Sequence, residues 1–113
     1  MVWPDPSRWM VDRLVVIARA LVVNEPGGEV VVSAGRVVVS GGGRVVAVGE
    51  GRELFVRLSV ADADEVIAAG DAIARDRPAG TPGLVRWVMF SDPTESTMRR
   101  FVTAAIATTR PAG

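Results

Sequence analysis

Seven carboxylates crowd the C-terminal half of the chain: Asp62, Asp64, Glu65, Asp71, Asp76, Asp92 and Glu95. Paired carboxylates can pass protons to and from a substrate or hold a magnesium ion, provided that separate elements bring them together. Asp62 and Asp92 also stand where helices would start and so have capping roles open to them, while Asp64 and Asp71 read as solvated surface. Arg75, Arg77 and Arg86 flank the stretch "RDRPAGTPG". A guanidinium fork suits carboxylate or phosphate recognition. Interleaved with Asp71 and Asp76, these arginines are first of all expected to form surface ion pairs. Trp9 either staples the first helix or meets a partner. Trp9, Arg75, Arg77 and Arg86 are therefore the candidate ligand or partner contacts, and no catalytic, metal-binding or cofactor-binding residue is assigned.

A second candidate for chemistry is "GRVVVSGGGRVVAVG", residues 35–49. A phosphate cradle of the P-loop kind needs a lysine after its glycines, and the dinucleotide fingerprint needs a third glycine and a following helix. The chain has no lysine, position 46 is valine, and strand-forming residues follow. The glycines are expected to turn a hairpin.

Composition narrows the chemistry further. The 113 residues include no His, Cys, Lys or Tyr, and all thirteen basic residues are arginine. Without His the usual general base is missing, and Ser33, Ser40, Ser59, Ser91 and Ser96 have no partner to activate them. Without Cys there is no disulfide or thiolate chemistry. Thirteen acids balance thirteen bases, which argues against a nucleic-acid partner held by charge. The apolar fraction of 49% is enough for a core and leaves material for a protein partner or self-association. The apolar stretch at residues 11–23 is interrupted by Asp12, Arg13 and Arg19, so no membrane span is expected and a cytoplasmic location is the default.

The elements that must position these residues follow from periodicity. In "PDPSRWMVDRLVVIARALVV", Met10, Leu14, Ile17 and Leu21 share one helical face that Val11, Val15, Ala18 and Val22 widen, with Asp5 or Ser7 as the cap. Four Val-rich runs follow, 29–33, 36–40, 44–48 and 53–60, each predicted as a strand. The first two are open to a reading as one strand bent at a bulge near Gly35. In the fourth run Leu54, Val56, Leu58 and Val60 face one way, and Phe55, Arg57 and Ser59 the other. "DADEVIAAG" predicts a short helix capped by Asp62 and ended by Gly70, with Val66, Ala69 and Ile73 on one face. "LVRWVMFS" predicts a central strand in which Trp87 is core. "DPTESTMRRFVTAAIATTR" predicts a final helix capped by Asp92. The result is one α+β domain over residues 1–113. Its two layers are an N-terminal helix, an antiparallel β-meander, then α-β-α, with helices packed on one sheet.

The stretches "GRVVVSGGGRVVAVG", "ELFVRLSVADADEVIAAG", "GLVRWVMF" and "TESTMRRFVTAAIA" together resemble the small α+β domains of the TfoX N-terminal and YjbR type. The resemblance implies a non-catalytic role, tied in some members to transcription or competence, and carries over no catalytic residues. The layout "L-x-V-R-L … VIAAG … VMF" also looks like the small luciferase-family domains of bacteria, whose histidines have no counterpart here. The expected function is thus a non-catalytic domain working through protein–protein contact, with a homodimer as a candidate assembly. The alternatives are a TfoX-like regulatory domain and a ligand-binding or metal-dependent enzyme built on the acidic residues.

Overall fold

The computed structural model describes residues 6–75 and 85–110. Asp5, Arg77 and most of the loop that contains Arg77 lie outside them. Helix α1 (Pro6–Val22) leads into strands β1 (Glu29–Ser33), β2 (Arg36–Gly41), β3 (Arg44–Glu50) and β4 (Glu53–Ser59). Helix α2 (Val60–Ala68), strands β5 (Ile73–Ala74) and β6 (Val85–Ser91), and helix α3 (Glu95–Ala107) follow. The six strands form one antiparallel sheet in the order β1-β2-β3-β4-β6-β5, and all three helices pack on it, as expected for an α+β fold.

The meander is made of tight turns. Ser33 pairs with Arg36 across Ala34 and Gly35, both at positive φ (51° and 76°). That is a two-residue hairpin turn whose twist matches the strands. The two runs are therefore separate strands, not one strand bent at Gly35. The bulge lies elsewhere. Val39 pairs with Ala47 and Ser40 with Val45, so Val46 is the extra residue on β3. It turns both Val46 and Ala47 into the core. The glycines at 41–43 close the next hairpin, with Gly42 and Gly43 at φ 59° and 78°. A Cβ on Gly42 would meet Thr109, just past α3, at 2.7 Å, so the turn is also packed against the end of the last helix.

Helix starts differ from the sequence expectation. The cap of α2 is Ser59, whose Oγ accepts from the Asp62 amide, so the helix begins ahead of Asp62. In α3 the Thr94 hydroxyl accepts from the Thr97 amide and takes the capping place expected of Asp92. Asp92 instead turns the chain at φ 49°, and its carboxylate accepts from Arg52 Nε at 2.7 Å. Ser7 lies inside α1 and cannot be its cap. Ile73 belongs to β5 and not to the face of α2, because Gly70 at φ 78° ends that helix, as expected.

The core forms where the three helices meet one face of the sheet. Met10, Leu14, Ile17 and Ala18 of α1 join Val37, Val39, Leu54, Val56, Leu58, Val88 and Phe90 of the strands. Ala63 and Val66 close it from α2, and Met98, Phe101, Val102, Ala105 and Ile106 from α3. Phe90 and Phe101 stack with centroids 4.6 Å apart. Gly49 lets α1 come close, since a Cβ there would fall 2.3 Å from Leu14 Cδ2.

Candidate interaction surfaces

The register decides what the other face carries. Val31, Val38, Val48, Phe55, Met89 and Ile73 are successive cross-strand partners, so one residue from each of the six strands joins a single apolar row. The row lies on the face opposite the helices, because each of its members has at least one chain neighbour in or packed against the helix-covered core, and side chains alternate. Val48 and Met89 are buried yet stand outside the core cluster. The ends of the row are open: Val31 is 44% exposed and Ile73 48%.

Beside that row Arg57 pairs with Trp87, and the Arg75 amide donates to the Trp87 carbonyl at 2.8 Å. Arg57, Trp87 and Arg75 are thus neighbours in register. Trp87 is buried as expected, but on the face away from the helical core. Arg57 is only 7% exposed, and among the described residues no carboxylate pairs with it. Burial, and after it the charge of Arg44, holds its guanidinium below the ordinary arginine value. The alternation of "ELFVRLSV" puts Arg57 on this face; its burial depends on neighbours that local sequence cannot reveal.

The sequence-derived candidates do not converge. Arg86 pairs in register with Leu58 on the helix-covered face, where its Nη1 donates to Asp64 of α2 at 3.0 Å. Arg75 takes the opposite face, and Arg77 lies outside the described residues. Trp9 is 52% exposed on α1. It lines up with Val16 and Val23 at steps of seven, on the side of the helix away from Leu14 and Ala18. The sequence singles out Trp9 alone; Val16 and Val23 fall outside the apolar face expected of the first helix, and a spacing of seven is the signal that joins them to Trp9.

The acids scatter into ion pairs. Asp64 meets Arg86 and Asp92 meets Arg52, while Glu95 meets Arg99 of its own helix and Arg13 of α1. Glu25 accepts from Arg110 across the ends of α1 and α3. Asp71 and Asp92 share a groove of about 280 Å³ with Arg100 at the start of α3. Among the described residues no three metal-ligating side chains come together, and no helix is long and apolar enough to cross a membrane.

Edge strand β1 is the feature that the candidate residues missed. It ends the strand order with β2 as its partner, and all of its residues but Val30 are exposed. Comparison of the chain with protein-family models, with curated proteins and with solved structures finds no match.

Proposed function

We propose that this domain works through protein–protein contact and not through catalysis. The observation that carries the reading is where large apolar side chains remain in water. Of the seven exposed among the described residues, four lie on α1 and β1, two elements that pack together, and a fifth directly follows α1: Trp9, Val16, Val31 and Val32, with Val23. Exposed apolar side chains on the outer side of α1 and on the edge strand β1 offer two surfaces on which a partner can dock. The absence of His, Cys and Lys from the sequence supports the same reading, since the common bases and nucleophiles are missing.

The first partner to test is a second copy of the chain. Sedimentation over a concentration series is expected to give a mass that rises above the 11.9 kDa of one chain. A single-chain mass up to the solubility limit overturns self-association. Val16→Glu with Val23→Glu, and separately Val32→Glu, will tell which of the two elements carries the contact.

A further inference from the structure

The geometry points to strand β1 as a self-complementary edge that pairs antiparallel with β1 of a second copy, in a register centred on Val31. This rests on the contact reading above and names its partner and surface. Natural edge strands are usually blunted by charge, proline, a bulge or shortness. β1 has five residues, Glu29-Val-Val-Val-Ser33, paired with β2 without a register break. Its middle is three valines, of which Val31 and Val32 are 44% and 49% exposed.

The hydrogen-bond phase selects the register. A two-residue turn closes on a pair that exchanges both backbone bonds, and here that pair is Ser33 with Arg36. Alternation then commits Val31 and Glu29 to β2. Val30 and Val32 turn their N–H and C=O groups outward from the sheet. An antiparallel partner must set outward-facing residues opposite each other. Setting Val30 of one copy against Val32 of the other does so twice, with the two-fold axis passing between the two Val31 residues. Both Val31 side chains then meet on the face away from the helices, and the apolar row continues from one sheet into the next.

Charge fits the same register. Glu29 of one copy falls opposite Ser33 of the other, whose neighbour on β2 is Arg36. Glu29 and the second copy's Arg36 then share a face at two strand spacings, roughly 10 Å, a gap that their two long side chains can close. Glu29 makes no ion pair among the described residues, and Arg36 makes a loose one, 3.8 Å from Glu50. The two-fold axis supplies this pair twice. Two five-residue strands cover little area, so the dimer is reversible and grows with concentration.

The chain has no cysteine, so a single introduced thiol reports on one position. Across the axis the two residues 31 form a non-hydrogen-bonded pair with Cα atoms about 4.5 Å apart, within disulfide reach. Val31→Cys is expected to cross-link under mild oxidation about tenfold faster than Val32→Cys, whose thiols sit two residue steps apart in this register. Glu29→Arg is expected to weaken association about tenfold, and Arg36→Glu in the same chain to restore it. Association without faster cross-linking at position 31 overturns this register and leaves the contact reading standing. A single-chain mass at every concentration overturns both self-pairing and the self-contact it rests on.

Discussion

The two faces of the sheet are built from the same residue types and do different work. On β2, Val37 and Val39 point into the core and are fully buried, while Val38 between them stands on the opposite face and is half-buried. On β4, Leu54 joins the helical core and Phe55, the next residue, joins the cross-strand row. Helices cover the first face and fix its side chains from both sides. On the second face Val48 at the sheet centre is buried and Val38 half-buried, while Val31 at the margin remains in water. Hydrophobic character alone therefore does not define the core; the layer packed above it does.

Substitutions that differ only in the face they touch will test this contrast. Leu54→Ala removes a fully buried side chain from beneath the helices and is expected to cost about 3 kcal/mol in chemical denaturation. Val39→Ala is expected to cost about 2 kcal/mol, and Val38→Ala less than half of that, although the two residues are adjacent and identical. Equal losses at 38 and 39 would erase the difference between the faces.

Arg57 sharpens the contrast from the other direction. Arg57→Met keeps an unbranched apolar stem and removes a buried charge that has no acidic partner among the described residues. A gain of about 1 kcal/mol is expected. The sign follows from the lowered guanidinium value: the folded state holds the proton less tightly than the unfolded chain, so the charged form is penalised on folding. The penalty persists wherever both states stay protonated and eases only as pH rises into the arginine range. The gain should accordingly be flat across neutral pH in paired melts. A loss of stability instead would assign Arg57 a favourable contact. The smallest effect belongs to the sheet margin. Val31→Thr should change the stability of the single chain by less than about 0.5 kcal/mol while weakening its association, as read by melting at low concentration and by sedimentation.

Much of the architecture was legible in local pattern. The strand boundaries came from glycine punctuation and β-branched runs, and the first and last helices from their apolar stripes. The caps were less legible, because Ser59 and Asp62 are both good capping residues and only the point where β4 leaves the sheet selects Ser59. The two-residue strand β5 carries too little pattern to be read and exists because β6 offers it an edge. The candidate surface was legible only in part. The stripe of Trp9 is a matter of spacing, whereas the placing of Arg75 and Arg86 on opposite faces required the register of β5 and β6.

By itself the sequence determined the class of fold, the alternation that sends Leu54 one way and Arg57 the other, and the lack of the usual bases and nucleophiles. These follow from single residues and from periods of two or 3.6, which act over a few positions. The tertiary structure alone decided which face the helices cover and which strand ends the sheet. It also brought together partners as distant in sequence as Arg52 with Asp92 and Glu25 with Arg110. An edge is not a property of the strand that forms it. Glu29–Ser33 would read the same in the middle of a sheet, and only the order of all six strands leaves its Val30 and Val32 amides facing outward.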